Sequence, residues 1–238
     1  MKAFLLAAGH GTRLRPLTAT TPKCLLPIRG VPILQIWLDI CRRFGICEVL
    51  INVHAHAKAV EAFLQEQRSP LHVTVVEEQE LQGSAGTLRN NRGWVSSEEC
   101  FWVFYADVLA QVNLEAMLRL HQMRQPVATI GAHQVSDPTR CGILDVQADG
   151  TVTGFEEKPK NPRGNLAFAG LMLCTQSLID TIPPKLPADL GFDVLPSLLG
   201  RMIAYPINSY LLDIGTQENY EAAQKSWPGL YDKGIPND

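Results

Sequence analysis

The chain opens on a short apolar run, residues 2–7, that stops at once on Gly9-His10-Gly11. A run this short and this apolar reads as a strand buried on both faces, which in an α/β chain means a central parallel strand. Glycines directly behind such a strand let the backbone turn sharply and approach a ligand closely. The alternation continues downstream. Pro32 suits a first helical position, Ile33, Ile36, Trp37, Ile40, Cys41 and Phe44 recur at helical spacing, and Gly45 stops the run. Residues 48–53 read as a second strand, 57–67 as a helix, 71–76 as a third strand and 101–105 as a fourth, ending on Ala106-Asp107. A βαβαβαβ order predicts right-handed crossovers and a parallel sheet.

The second half has a different texture. Strands are predicted over 127–134, 142–146, 151–155 and 168–174, with Asp149-Gly150 as a hairpin turn. Helical stretches are predicted near 190–199 and 216–225, the latter capped by Thr216 with Glu218 in its first turn. The Pro-rich segment 182–187 reads as a surface loop. With 46% hydrophobic and 19% charged residues among 238, a sizeable core is available and no low-complexity linker interrupts it. The expected fold is a single-domain α/β, Rossmann-like arrangement with a mainly parallel mixed sheet flanked by helices.

Several function classes recede on composition. A net charge of −3 leaves no basic footprint for nucleic acid. No apolar run is long enough to span a membrane. The six cysteines, at 24, 41, 47, 100, 141 and 174, form no CxxC pair or metal-like spacing and read as reduced residues of a cytoplasmic protein. His54 and His56 alternate at a strand end, but nothing near them supplies a third ligand, so they read as packing or loop histidines.

The segment Leu6-Ala7-Ala8-Gly9-His10-Gly11-Thr12-Arg13-Leu14-Arg15-Pro16-Leu17-Thr18 carries the main chemical signal. Backbone amides around Gly9 and Gly11 suit phosphate oxygens. Arg13 and Arg15 supply guanidinium groups that match phosphate geometry, and Lys23 adds a point charge. A dinucleotide fingerprint fails because Leu14 stands where the third glycine belongs, and a P-loop pattern is absent.

With its continuation Pro22-Lys23-Cys24-Leu25-Leu26-Pro27, this segment resembles the signature of the sugar-phosphate nucleotidyltransferases, of the mannose-1-phosphate or manno-heptose-1-phosphate guanylyltransferase and glucose-1-phosphate thymidylyltransferase kind. Further motifs follow in the family's order: Gly83-Ser84-Ala85-Gly86, Tyr105-Ala106-Asp107, Phe155-Glu156-Glu157-Lys158-Pro159 and Asp213-Ile214-Gly215-Thr216. Two departures stand out. Ala106 replaces the usual glycine before the aspartate, and Phe168-Ala169-Gly170 stands where many members have Asn-Ala-Gly. The second departure bears on sugar identity rather than on reaction class.

The resemblance implies a nucleotidyltransferase domain over 1–226, its nucleotide part about 1–110 and its sugar part about 111–226, with a tail over 227–238. It implies that a nucleoside triphosphate, GTP first, and a sugar 1-phosphate give a nucleoside-diphosphate sugar and pyrophosphate. UTP, dTTP or CTP with another sugar, or a non-catalytic regulatory subunit, are the alternatives; Leu14 disfavours a nicotinamide enzyme. Arg13, Lys23 and Asp107 are the implied catalytic residues. Leu6, Ala8, Gly9, Gly11, Thr12, Arg13, Gln82, Gly83, Ala85 and Gly86 are implied for the nucleotide, and Gly142, Glu157, Lys158 and Gly170 for the sugar phosphate. Asp107 and Asp213 are implied as ligands of Mg²⁺. A homodimer is compatible with this reading.

Overall fold

The computed structural model describes residues 1–67 and 70–230. In chain order its main strands are β1 (Lys2–Leu6), β2 (Glu48–Val53), β3 (His72–Glu77), β4 (Phe101–Tyr105), β5 (Val108–Ala110), β6 (Ala128–Gln134), β7 (Gly142–Val146), β8 (Val152–Glu157), β9 (Leu166–Cys174), β10 (Met202–Pro206) and β11 (Leu211–Asp213). Its main helices are α1 (Ile33–Arg43), α2 (Ala57–Glu66), α3 (Ser84–Asn90), α4 (Leu114–Arg124) and α5 (Gln217–Ser226). The result is the expected mixed sheet of parallel and antiparallel ladders with helices around it.

The described residues gather into two compact units that interleave along the chain. Of the described residues, the first takes those within 1–81, 104–114 and 209–230; the second takes Gln82–Val103 and Glu115–Asn208. In the first unit β1 pairs parallel with β2, Lys2 opposite Glu48, and β2 pairs parallel with β3, Glu48 opposite His72. Ala3, Phe4 and Leu5 are fully buried, as a continuous apolar run in a parallel sheet should be. Seven of the eleven residues of α1 are buried. Among them Trp37 stacks on Phe104 with ring centroids 4.7 Å apart and donates its indole N–H to the Val108 carbonyl at 2.9 Å.

The loop after β1 is not structureless. It is three single 3₁₀ turns, Thr12–Leu14, Leu17–Ala19 and Lys23–Leu25. Thr18 explains the order: buried, it donates its hydroxyl to the Gly11 carbonyl at 2.7 Å. A side chain that satisfies a turn carbonyl in this way replaces the missing regular ladder.

In the second unit β8 and β7 form the antiparallel hairpin expected at Asp149-Gly150, β9 pairs antiparallel with β6, and β10 lies parallel to β6. Asp149 holds the turn by accepting from the Thr151 amide and hydroxyl, each at 2.9 Å. The stretch predicted helical near 190–199 is a turn of π-helix, Leu190–Val194, running into a 3₁₀ turn, Leu195–Leu198. Pro196 lacks the N–H that a continuous α-helix would need. Thr216 caps α5 as expected, accepting from the Asn219 amide at 3.2 Å.

Trp37→Phe removes the only indole N–H at the Val108 carbonyl and part of the ring volume against Phe104. An unpaired buried carbonyl costs about 1–3 kcal/mol. A calorimetric melt should show Tm lower by roughly 2–4 °C per kcal/mol lost.

Candidate active site

The first unit assembles a polar corner from four stretches of chain. A cavity of about 230 Å³ is lined by Leu6, Ala7, Gly9–Arg13, Lys23, Cys24, Ala106, Asp107 and Gly215. The short strands β5 and β11 pair antiparallel, Val108 opposite Asp213, and the Ile214 amide donates to the Asp107 carbonyl at 2.9 Å. This ladder brings two aspartates together although 106 positions separate them in the chain. Lys23, with its side chain 12% exposed, donates to Asp107 Oδ2 at 2.6 Å. The Gly215 amide donates to Asp213 Oδ1.

Gly215 has no side chain for a geometric reason. A β-carbon there would lie 2.7 Å from Asp213 Oδ1, 3.0 Å from Arg13 Nη2 and 3.3 Å from Lys23 Nζ. Two cations and a carboxylate thus converge on one backbone position. Burial raises the pKa of Asp213 above the usual aspartate range, and the neighbouring Asp107 charge raises it further; Lys23, the Gly215 amide and Arg13 oppose that rise. Two carboxylates and two cations thus share the corner, and burial leaves Asp213 the harder of its groups to ionise. Paired carboxylate oxygens of this kind are the donor set that Mg²⁺ prefers, so the residues present fit the implied ion.

The remaining implied residues of the first unit fall into place around this corner. Leu6, Gly9, Gly11 and Thr12 line the cavity; Ala8 is buried at the end of the strand. Cys24 is buried, and burial pushes its thiol up to about 12, so it stays protonated and unreactive at neutral pH. His54 bonds the Glu78 carbonyl through Nδ1 at 2.6 Å and sets its ring edge-on to His10.

In the second unit the implied residues form two groups. Gly83, Ala85 and Gly86 do not lie in an open loop, since α3 begins at Ser84. The Ala85 and Gly86 amides both donate to the Ala188 carbonyl, at 3.0 and 3.1 Å. Gly83 has φ +78°, and a β-carbon there would collide with that same carbonyl. The Gln82 carbonyl accepts from the Ala188 amide, and its side chain from Asn90.

The other group surrounds Glu157, whose side chain is 13% exposed. Side chains at Gly142 or Gly191 would each run into the Glu157 carboxylate, and one at Gly142 would also strike Phe155. Burial lifts the Glu157 pKa, and Lys158, 3.2 Å away, pulls it back down. Lys158 sits at φ +49°, a left-handed conformation uncommon outside glycine, pinned by its amide bond to the Cys141 carbonyl at 2.9 Å. Gly170, φ +69°, lies buried in β9 where the pairing to β6 shifts register.

A family model for nucleotidyl transferases matches residues 2–228. The chain belongs to that family. Among curated relatives of this nucleotidyl transferase, mannose-1-phosphate guanylyltransferase 1 of Arabidopsis thaliana is 30% identical over 227 residues, covering 92% of this chain and 63% of the plant protein. The chain thus spans less than two thirds of the length of the curated relatives it matches. In fold it is similar to UDP-glucose pyrophosphorylase solved with UDP-glucose (TM-score 0.82, 22% identity, 95% of this chain and 97% of that one). It is likewise similar to HddC from Yersinia pseudotuberculosis solved with GMP-PN (TM-score 0.79, 22% identity, 95% and 99%).

Several residues that shape this nucleotidyl transferase site went unassigned from sequence. Gly215 lay inside a quoted motif without a role. Asn52 is buried; it accepts from the Ala7 amide at 2.8 Å and donates to buried Glu78 at 2.8 Å, bracing the strand end beneath the glycine loop. Gly191 and Ala188 act through backbone proximity, which leaves no mark in a one-dimensional pattern.

Asp213→Asn should raise stability in metal-free buffer at pH 7. An aspartate whose folded pKa is raised contributes its stability below the ordinary value and loses it as pH climbs through the raised one. The neutral amide removes that loss. A Tm advantage at pH 7 that narrows toward pH 4 is the expected result, read by thermal melts across pH.

Proposed function

We propose that this nucleotidyl transferase joins a nucleoside triphosphate, GTP in the first place, to a sugar 1-phosphate of the mannose or manno-heptose type. The products are a nucleoside-diphosphate sugar and pyrophosphate. The observation that carries the reading is the convergence of Arg13, Lys23 and Asp213 on Gly215, with Asp107 held by Lys23. The choice of GTP and of a mannose-type sugar is supported by the names of the curated relatives.

In the proposed reaction a phosphate oxygen of the sugar 1-phosphate attacks the α-phosphorus of the triphosphate. A phosphorus–oxygen bond forms there as the bond to the β-phosphate oxygen breaks, and pyrophosphate leaves with the electron pair. The nucleophile is already anionic, so no general base is required. The barrier is repulsion between anions and misorientation, which fixed cations and positioning lower. We assign Arg13 to the β- and γ-phosphates and Lys23 to the α-phosphate. Asp107 and Asp213 would hold Mg²⁺, which when bound supplies concentrated positive charge to the phosphate oxygens.

In the second unit we assign Lys158 to the sugar phosphate and Glu157 to sugar hydroxyls, with Gly142 and Gly170 giving room beside them. Gly83, Ala85 and Gly86 would offer the base and ribose close backbone surface rather than donors, because the Ala85 and Gly86 amides are given to Ala188. No helix among the described residues is long and apolar enough to cross a membrane, and we place the activity in the cytoplasm.

Pyrophosphate release with Mg²⁺ across four triphosphates and a panel of sugar 1-phosphates, mannose and manno-heptose included, tests the reading. One pair should react, and Asp107→Asn or Lys23→Ala should slow it by about 10²–10³-fold, the scale of a lost transition-state charge contact. Triphosphate binding with no release from any pair would favour a non-catalytic subunit. Absence of triphosphate binding would sink the reading altogether.

A further inference from the structure

Phe192 is 57% exposed, the one aromatic ring among the exposed large apolar side chains of the described residues. Its position is tightly set. Asp189 caps the turn that carries it, accepting from the Gly191 amide at 2.8 Å and the Phe192 amide at 3.2 Å. The preceding Gly191 abuts the Glu157 carboxylate so closely that no side chain fits between. On the exposed ring lies the Lys158 ammonium, 5.4 Å from the centroid. The ring thus carries on its face the group assigned to the sugar phosphate, and it follows in the chain a residue set against Glu157, the group assigned to sugar hydroxyls. Phe155 and Phe168, an edge-to-face pair 6.5 Å apart, add aromatic surface beside Glu157 on the same strands, β8 and β9.

An aromatic face is electron-rich and attracts whatever positive edge approaches it. In this structure that edge is the Lys158 ammonium. A pyranose offers another, since the axial hydrogens on one side of the ring make a weakly positive, apolar face. We propose that Phe192 is a specificity residue, stacking on the C–H face of the sugar ring while Lys158 leaves it for the sugar's phosphate and Glu157 takes a hydroxyl. The inference rests on the nucleotidyltransferase reading above and deepens it. It commits the sugar site to pyranose 1-phosphates that keep one side free of axial hydroxyls.

The test compares wild type, Phe192→Ala and Phe192→Trp by calorimetric binding of mannose 1-phosphate and of inorganic phosphate, and by steady-state kinetics. An exposed ring can be removed without unfolding the chain, which thermal melts would check. The proposal expects Phe192→Ala to weaken mannose 1-phosphate about 3–10-fold, in binding and in KM, with the triphosphate KM and inorganic phosphate affinity little changed. Phe192→Trp should restore most of the loss. Equal weakening of inorganic phosphate would assign the ring to holding Lys158 alone and overturn the stacking. Unchanged mannose 1-phosphate affinity in an active variant would overturn it while leaving the reaction intact. A wild-type chain that neither binds nor turns over any sugar 1-phosphate would overturn both.

Discussion

Two carboxylates drawn into one partly buried corner repel each other, and the surroundings of Asp107 and Asp213 answer that repulsion. Burial sharpens that repulsion, because a charge withdrawn from water is screened less. Lys23 meets Asp107 directly, the Gly215 amide meets Asp213, and Arg13 closes on the same backbone position. Even so, Asp213 remains harder to ionise than an ordinary aspartate. Such a corner is a poor device for folding, and its oxygens and cations suit the proposed binding of a metal ion with its attendant phosphates. Perturbed acids of this kind gather where a protein does chemistry.

The corner exists because of a three-residue ladder. Pairing β5 with β11 sets Val108 opposite Asp213, so the residue before β5 and the last residue of β11 become neighbours. Side chains alternate along a strand, so a regular ladder in this register would turn residues 107 and 213 to opposite faces; Asp107 instead lies in the turn that precedes β5, and Asp213 is held by the Gly215 amide just beyond β11. The ladder is short, and flanking contacts help to hold it. Trp37 bonds the Val108 carbonyl, Gln111 donates its amide to the Tyr210 carbonyl at 2.8 Å, and Tyr210 packs against buried Trp227. Core packing far from any ligand thus sets the register on which the carboxylate pair depends.

The parallel half of the fold was legible because each of its elements is periodic: strands β1 and β2, helix α1 and the cap at Thr216 can be read locally. The glycine loop stood out because its residue types are rare together, and Gly9, Gly11, Thr12, Arg13 and Lys23 do line one cavity. What sequence could not show was proximity. Asp107 and Asp213 became a pair only through resemblance, since nothing in their spacing predicts an antiparallel ladder. The glycines of the 82–86 stretch give no sign that a helix, α3, begins at Ser84. The deciding contact, the Ala188 carbonyl, lies about a hundred positions away. Thr18 and Asn52 were silent for the same reason, each acting through a single long-range hydrogen bond.

The second unit solves a different problem with backbone. An ion pair as exposed as Lys158–Glu157, with the lysine side chain 56% exposed, adds little to stability. Yet the chain accepts a left-handed lysine to place it there, and keeps residues without side chains at 142 and 191 so that the carboxylate can tuck in. Strain of that kind persists only where surrounding structure imposes it. The weak partner makes sense if the ammonium is meant to leave. A lysine bound loosely to one carboxylate and one aromatic face would exchange both for a phosphate at small cost, whereas a lysine in a part-buried pair, like Lys23 on Asp107, would hold its place and contribute a fixed charge. On the proposed reading the same residue type serves as a fixed charge in one unit and an exchangeable one in the other, and the difference in exposure, 12% against 56%, decides which.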